Sequence, residues 1–425
     1  MVPAAKPPRL KLSHFGPIQS ADVQFGDLTV MVGAQATGKS IFLQTLKLLI
    51  DRDHIHGMFA HHNMTFTDRP EAFLDAYFGR GISEGWSKGK SSLVFDGKSV
   101  DLLDLTKPSK GKKTRYERLF YIPAQRVMSL PSGVSQNFGT FNFGDPYALR
   151  AFSDAVHNLI QNEFAAKGEL FPASNRLNDT LRAPIQKHLF GGNRLALDNS
   201  EFTKRLALHV PGQKAPLSFL SWSAGQREFT PMLMGLYWLC TVSTQKRKSG
   251  ENAQETVDWV VIEEPEMGLH PEGIQAVLLL VLELLRRGYR VVLSTHSPVV
   301  LEMVWAVQEL KKLRAGESDV RELFHLPAVP YAKTLATSAL EKDYRVYFFG
   351  RGQDVRDISA LDPTAEQHDE SEWGGIVSFA SRTNQTVAHA VNRADADERQ
   401  RAREAAKAGE SGKPRGRAAK RKGTE

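Results

Sequence analysis

Residues 33–40 combine glycines, a lysine and a serine at a spacing that suits phosphate binding. The segment reads Gly33-Ala-Gln-Ala-Thr-Gly38-Lys39-Ser40 and fits the pattern G-x-x-x-x-G-K-[ST] at every fixed position. Glycines let backbone N–H groups approach phosphate oxygens, the lysine neutralises the β- and γ-phosphates, and the serine hydroxyl is a Mg²⁺ ligand. The pattern therefore predicts a nucleotide site formed by Gly33, Gln35, Ala36, Thr37, Gly38, Lys39 and Ser40.

Two adjacent carboxylates follow an apolar run in the segment Trp259-Val-Val-Ile-Glu263-Glu264-Pro265-Glu266. An apolar strand that ends in acids can carry them to the Mg²⁺–phosphate edge of a sheet. We assign Glu263 to Mg²⁺, through water, and Glu264 to positioning and deprotonating the attacking water. The alternative is a solvated strand end that happens to be acidic.

A histidine and a serine-rich turn are further candidates for phosphate contacts. His296 lies in Ser294-Thr-His296-Ser-Pro298, directly after the apolar residues 291–293, where it could reach a γ-phosphate. In Leu220-Ser-Trp-Ser223-Ala-Gly225-Gln226 the small residues would let a helix N-terminus approach phosphate, with Ser223, Gly225 and Gln226 as the candidate contacts. A structural histidine and an ordinary serine N-cap are the respective alternatives.

Apolar strands alternate with amphipathic or apolar helices along the segments that carry these residues. This alternation predicts an α/β fold with a mixed or parallel sheet flanked by helices, and a helical lobe around Ser223. The predicted strands are Arg9–Leu12, Ala21–Phe25, Leu28–Val32, Arg118–Pro123, Val257–Ile262 and Arg290–Ser294, and the predicted helices are Lys39–Leu49, Asp145–Phe164, Phe229–Leu239 and Gly273–Arg287.

The pattern changes several times along the chain and predicts seven segments. Residues 1–53, 116–144 and 229–312 form the core, interrupted by an insertion at 54–115, with a hairpin around Ser91–Leu103, and by the helical lobe at 145–228. Residues 313–392 are weakly patterned. The last segment, residues 393–425, holds 11 Lys and Arg against 6 Asp and Glu, which is +5 of the whole chain's +7. Because it has almost no large apolar residues, we expect this basic tail to be disordered.

The composition excludes several classes of protein. The 425 residues are 41% hydrophobic and 24% charged, close to the average for globular chains. The one cysteine, Cys240, excludes an internal disulfide framework and predicts a buried thiol in a reducing compartment. The longest apolar stretch, Ile274–Leu285, is too short to span a bilayer, and the N-terminus shows no secretory pattern. We therefore expect a cytoplasmic protein with no membrane segment.

The order of five motifs resembles the ABC-class ATPase heads of the RecF/SMC/OLD group, over roughly residues 8–305. GAQATGKS resembles a Walker A motif, YIPAQR a Q-loop, LSWSAGQRE a signature motif, VVIEEPEMGLHP a Walker B motif with D-loop, and STHSP a switch-histidine loop. The resemblance implies a P-loop NTPase fold of the ATPase-head type, in which Gln125 senses Mg²⁺ and the γ-phosphate. It also implies that Ser223 and Gly225 act on ATP held by a second subunit, with residues 266–270 along the dimer seam.

Two departures from that pattern affect the assignments. Glu263 stands where many relatives have Asp, which adds a methylene between the backbone and the carboxylate that would contact the metal. The signature reads WSAGQ where LSGGQ is commonest, so Ala224 could tune the approach to phosphate.

The resemblance also implies partners and cofactors. ATP and Mg²⁺ would be bound by a homodimer, or a higher homo-oligomer, whose heads close over ATP. The sequence shows no long heptad array, no membrane domain and no acidic cluster typical of a fused TOPRIM nuclease, so we expect a stand-alone ATPase. By analogy, the chain is similar to the ATPase subunits of two-gene bacterial anti-phage systems, of which the PARIS-type ATPase is one candidate, with a separate effector protein. One alternative is a RecF-like recombination ATPase that clamps DNA, using the basic loop Lys107–Lys113 and the tail. A passive scaffold with a degenerate nucleotide site is a third hypothesis.

Overall fold

The computed structural model describes residues 7–66, 69–109, 116–164, 168–173, 176–198, 204–240 and 257–411. The chain divides into two units, residues 1–376 and 377–425. The strands of the first unit are β1 (Arg9–Phe15), β2 (Ile18–Gln24), β3 (Leu28–Val32), β4 (Ser92–Phe95), β5 (Lys98–Val100), β6 (Leu119–Ile122), β7 (Glu169–Phe171), β8 (Arg194–Asp198), β9 (Arg205–His209), β10 (Trp259–Glu263), β11 (Arg290–Thr295), β12 (Tyr344–Phe348) and β13 (Arg356–Asp357).

Helices surround these strands, and the second unit is described through one long helix. The helices are α1 (Lys39–His61), α2 (Pro70–Phe78), α3 (Leu102–Leu105), α4 (Tyr147–Asn158), α5 (Asp179–His188), α6 (Ala224–Leu239), α7 (Pro271–Arg286), α8 (Pro298–Lys312), α9 (Glu317–Leu323), α10 (Pro330–Glu341), α11 (His368–Ser371) and α12 (Ser378–Ser411). In the part of the chain that the structure describes, no helix is long and apolar enough to cross a membrane.

A six-stranded sheet forms the centre of the first unit, in the order β13-β12-β3-β11-β10-β6. Its neighbours pair in parallel except for β13, which is antiparallel to β12 at the edge. Alternate residues enter two apolar cores, because helices cover both faces: Val260 and Ile262 pack on one side, Val261 on the other. The predicted α/β fold with a mixed sheet flanked by helices is confirmed, and the parallel strands end at one common edge.

The N-terminal strands β1 and β2 do not join that central sheet. They form a second, antiparallel sheet in the order β2-β1-β4-β5. Its hairpin, β4 and β5, is the hairpin predicted around Ser91–Leu103, and Leu12 of β1 lies opposite Leu93 of β4. Part of the segment 54–115, expected to be an insertion, therefore completes the N-terminal sheet. The helix predicted over Lys39–Leu49 continues to His61.

The helical lobe contains α4, α5 and α6 and a small antiparallel sheet in the order β7-β8-β9. Its helix α6 begins at Ala224, five residues before the predicted start at Phe229, because Ser223 caps it. The helix ends at Leu239 and its C-cap is Cys240. The Cys240 thiol is buried as expected, and burial raises its pKa to about 12.

Two C-terminal segments contain elements that the sequence pattern did not indicate. The weakly patterned residues 313–392 contain β12, which extends the central sheet on the far side of β3. Residues 393–411 of the tail expected to be disordered continue helix α12. This stretch lacks large apolar residues but is rich in Ala, Arg and Glu, which favour helix, and Gln400 Nε2 donates to Glu404 Oε1 at 3.0 Å. The rest of the tail, 412–425, lies outside the described residues.

A buried ionic cluster fixes helix α1 to the central sheet. Lys47 Nζ donates to Asp51 Oδ2 at 2.9 Å, to Glu117 Oε1 at 2.7 Å and to the Leu119 carbonyl oxygen of β6 at 2.7 Å. Asp51 also accepts the backbone N–H groups of Arg118 and Leu119. Burial alone would lower the pKa of Lys47, but Asp51 and Glu117 raise it above its ordinary value. The ammonium therefore stays charged and holds α1 in register with β6.

Candidate nucleotide site

The loop between β3 and α1 has the backbone geometry that its glycines predict. Gly33 has a φ of 138°, and a Cβ there would lie 2.2 Å from the Phe349 carbonyl oxygen. Gly38 has a φ of 95°, and a Cβ there would lie 2.4 Å from Ile18 Cγ1. Both positions therefore require glycine. The loop curls back over the N-terminus of α1, where unpaired backbone N–H groups attract anions.

Lys39 begins helix α1 and is buried beneath the loop. Its Nζ donates to the carbonyl oxygens of Gly33 and Ala34, both at 2.8 Å. Burial lowers the pKa of Lys39 to about 8, although Glu264 and Glu263 act in the opposite direction. The ammonium is thus held by neutral carbonyls at the base of the loop and can be offered to an anion.

Glu263 ends β10 and is 3% exposed. Its Oε2 accepts the Ala124 N–H at 3.3 Å, and within the described part of the chain Oε1 has no hydrogen bond. Burial raises the pKa of this carboxyl, and the Ser40 hydroxyl is close enough to offset part of that rise. A buried carboxylate oxygen without a hydrogen bond, beside a serine hydroxyl, is a set of hard oxygen donors that fits Mg²⁺.

Glu264 and His296 face each other across the ends of β10 and β11. His296 Nε2 lies 3.7 Å from Glu264 Oε1, and the two side chains are 30% and 32% exposed. Burial, and then Lys39, lower the pKa of His296, so the imidazole is neutral at pH 7. Glu266 Oε1 accepts the backbone N–H of His296 at 2.6 Å and the Thr295 hydroxyl at 2.8 Å. The histidine is therefore positioned by the acid predicted at the D-loop.

These side chains surround one cleft at the carboxyl edge of the sheet, with a volume of about 410 Å³. Six of the seven residues predicted from the loop pattern line it, with Glu264 and His296 on the opposite wall. The lining residues are Pro17, Gln35, Ala36, Thr37, Gly38, Lys39, Ser40, Ile41, Glu264, Ser294 and His296. Gly33 and Glu263 are buried and do not line the cleft.

The signature-like segment lies outside this cleft. Ser223 Oγ accepts the Gln226 N–H at 3.2 Å, and Gln226 Oε1 accepts the Ser223 N–H at 3.1 Å, which is a complete capping box. A Cβ on Gly225 would lie 2.7 Å from the Gly268 carbonyl oxygen, so this glycine permits α6 to pack on the D-loop. Within one chain Ser223 is therefore the N-cap of α6, as the alternative interpretation predicted. It is nonetheless exposed.

Gln125 is not brought into the cleft. It is exposed and precedes a short 3₁₀ turn, and only its neighbour Ala124 contacts Glu263. The roles of Gln125 at the metal and at the γ-phosphate stay predictions. The basic loop predicted as a DNA contact at Lys107–Lys113 also gains no support, because residues 110–115 lie outside the described ranges.

Arg126 is the residue that sequence reasoning missed. Its guanidinium is fully buried and donates to the backbone carbonyl oxygens of Glu228 at 3.0 Å, Glu263 at 2.9 Å and Glu264 at 3.0 Å. A longer contact, at 3.5 Å, reaches the Pro123 carbonyl oxygen. Burial lowers its pKa, and nearby carboxylates led by Glu228 oppose this. The side chain thus connects α6 to the end of β10. Its place directly after Gln125 in YIPAQR was the available signal, but nothing in the sequence indicates that an arginine there is buried.

Comparisons with known proteins give one family match and several similar solved structures. A family model described as an AAA domain, putative AbiEii toxin, type IV toxin–antitoxin system, matches residues 147–302. No curated protein matches the chain significantly. An SMC head bound to the C-winged helix domain of ScpA is 15% identical over 69% of this chain and 90% of its own, with a TM-score of 0.37. The SMC head domain from Thermotoga maritima is 13% identical over 69% and 90%, with a TM-score of 0.31.

A third similar structure is the post-hydrolysis dimer of the ATP-binding cassette MJ0796 bound to ADP and Pi. It is 13% identical over 68% of this chain and 88% of its own, with a TM-score of 0.30. The assignment of a P-loop NTPase fold follows from the strand order and the loop geometry described above, in which β3, β10 and β11 end together at the cleft.

Proposed function

We propose that this chain binds ATP with Mg²⁺ and hydrolyses it to ADP and phosphate. The observation that carries the proposal is the convergence of Lys39, Glu264 and His296 on one cleft at the carboxyl edge of a parallel sheet. Lys39 supplies positive charge for the β- and γ-phosphates, and the N-terminus of α1 supplies N–H donors. Ser40 and Glu263 would hold Mg²⁺, which neutralises phosphate charge when bound.

The reaction requires a group that accepts a proton from the attacking water. Glu264 fits this role because its carboxylate is partly exposed in the cleft, opposite the phosphate loop. The neutral imidazole of His296 donates a hydrogen bond to the γ-phosphate, and Glu266 holds the backbone of that histidine. In this proposal Glu264 moves the proton, while His296 and Lys39 stabilise the developing negative charge.

The test of nucleotide binding is Lys39→Ala. Removal of a buried, charge-assisted contact to phosphate should weaken the binding of ATP by at least about tenfold. Isothermal titration with ATP and Mg²⁺ measures this, and Lys333→Ala, which removes an exposed lysine of α10, is the control. Equal affinities for the two variants would exclude the loop as the nucleotide site.

In the same proposal, two copies of the chain close over ATP, and Ser223 and Gly225 contact the nucleotide of the partner subunit. Exposure of Ser223 at the first turn of α6 supports it, since a helix N-terminus presents N–H donors to an anion. ATP would favour the closed state because it contacts both subunits only there.

Ser223→Arg should prevent ATP-dependent dimerisation, because the bulky side chain keeps the two heads apart while the phosphate loop still binds ATP. Light scattering after gel filtration, with and without a non-hydrolysable ATP analogue, measures the mass. Ser318→Arg alters another exposed serine, in the first turn of α9, and should dimerise like the unaltered protein. ATP-dependent dimers of both variants would remove Ser223 from the subunit contact.

We further propose that the ATPase cycle regulates a separate effector protein in a bacterial anti-phage system. The support is the resemblance to ATPase subunits of two-gene systems and the match to a family whose description names a toxin–antitoxin system. Protection from phage by the chain together with the product of a neighbouring gene, lost on Lys39→Ala, is the expected result. The proposal would be contradicted if phage plated equally well on cells that carry both proteins and on cells that lack either one.

A further inference from the structure

Each of four adjacent parallel strands ends near the cleft, and three of them already have a role there. Strand β3 leads into the phosphate loop, β10 ends at Glu263 and β11 is followed by His296. The fourth strand, β12, pairs with β3 on the side opposite β11 and is followed by Phe349-Gly350-Arg351-Gly352. Because functional groups of open parallel sheets gather at the carboxyl ends of strands, this segment is a candidate for a further contact.

The segment after β12 is fixed against the phosphate loop by backbone contacts. The Phe349 N–H donates to the Val32 carbonyl oxygen at 2.8 Å. The close approach of the Phe349 carbonyl oxygen to Gly33, where no Cβ would fit, adds a second constraint. Gly352 has a φ of 64°, so the chain turns away directly after Arg351. Residues 349–352 thus lie beside the loop in a defined register.

The side chain of Arg351 reaches the top of the loop. Its Nη2 donates to the Gln35 carbonyl oxygen at 3.4 Å, and the residue is exposed. Gln35 lies one residue beyond Ala34, whose carbonyl oxygen accepts from Lys39 Nζ. The guanidinium and the ammonium therefore donate to the carbonyl oxygens of two consecutive residues in the same loop. The long contact with Gln35 leaves the other guanidinium donors available to an anion.

The balance of charges around the cleft would favour a second cation when a nucleotide is bound. Among the described residues that line it, Lys39 is the one lysine or arginine, and it faces Glu264, with Glu263 and Glu266 nearby. A nucleoside triphosphate adds several negative charges, and its terminal phosphate carries the largest share. A guanidinium can bind such a group through two parallel N–H donors.

We propose that Arg351 is a second cationic contact for the terminal phosphate of a bound nucleoside triphosphate, supplied by the same chain that holds the loop. The proposal deepens the function proposed above and rests on it. On nucleotide binding, the guanidinium exchanges its long contact with Gln35 for phosphate oxygens. Since a nucleoside diphosphate lacks the terminal phosphate, Arg351 favours ATP over ADP.

The test is the ratio of two affinities in full-length Arg351→Ala. Titrations with a non-hydrolysable ATP analogue and with ADP, both with Mg²⁺, should show the analogue weakened about tenfold or more and ADP nearly unchanged. Arg351→Lys keeps the positive charge but loses the paired N–H donors of the guanidinium, so it should give an intermediate ratio of the two affinities. Arg314→Ala, at an exposed arginine in the turn after α8, is the control and should retain both affinities.

The outcomes separate this inference from the proposed function. If the unaltered protein does not bind ATP, or binds it equally well after Lys39→Ala, the nucleotide site itself is wrong and the inference fails with it. If ATP binding depends on Lys39 but Arg351→Ala keeps both affinities, only the inference fails. Equal weakening of the analogue and of ADP also overturns it, because Arg351 would then act on the shared phosphates or on the fold.

Discussion

Glu264→Gln should lower ATP turnover by at least about 100-fold while leaving the affinity for ATP nearly unchanged. An amide has almost the shape of a carboxylate but cannot accept the proton of the attacking water. The backbone contacts at this position do not depend on the side chain, because the Glu264 N–H donates to the Ser294 carbonyl oxygen and its own carbonyl oxygen accepts from Arg126. The substitution should therefore change the chemistry without moving the end of β10.

Phosphate release at saturating ATP and Mg²⁺ measures the rate, and titration with ATP measures the affinity. Glu322→Gln, in the exposed part of α9, makes the same change away from the cleft and should turn over normally. If hydrolysis and binding fell together, Glu264 would be a structural residue. Normal turnover of Glu264→Gln would assign the general base to another group.

The central strands of the fold could be predicted because they are buried on both faces. Residues 28–32, 259–262 and 291–293 are almost continuously apolar, which is typical of parallel strands covered by helices. Strand β12 was missed because Arg345 interrupts its apolar run and because its pairing with β3 joins residues more than 300 positions apart. No local pattern contains such a pairing, so the sequence could not indicate Arg351 as a neighbour of the phosphate loop.

The candidate site shows the same division between local pattern and distant packing. Motif spacing indicated Lys39 and Ser40, and position at a strand end indicated Glu264 and His296; all four line the cleft. For Gly225 the sequence suggests only a phosphate contact, whereas within the chain it leaves space for the Gly268 carbonyl oxygen. Such close approaches depend on how α6 packs against the segment around Gly268. A sequence motif does not contain that information.

The C-terminal helix illustrates a different limit. A lack of large apolar side chains argues against a packed core but does not prevent a helix, since Ala, Arg, Glu and Gln have high helix propensity. Residues 393–411 therefore belong to α12 although nothing in their composition predicts burial. Composition alone decides whether a segment can form a core, while local secondary structure follows from propensity.

Arg126→Met should lower the free energy of unfolding by about 3 kcal/mol, because it removes the donor from three carbonyl oxygens in buried or part-buried hydrogen bonds. The same change should reduce ATP turnover more than ATP binding. Two of those carbonyl oxygens belong to Glu263 and Glu264, and the third, of Glu228, lies in α6. Without the guanidinium, Glu264 and the start of α6 are no longer fixed relative to each other.

Arg126→Lys separates the two effects, since an ammonium keeps the charge and some hydrogen bonding but cannot span three carbonyl oxygens in a fixed plane. We expect it to restore most of the stability in urea unfolding while turnover at saturating ATP stays low. Arg118→Met is the control, because that arginine is half exposed and its ion pair with Asp258 should contribute less than about 1 kcal/mol. If Arg126→Lys recovered stability and turnover together, Arg126 would support the fold without positioning Glu264.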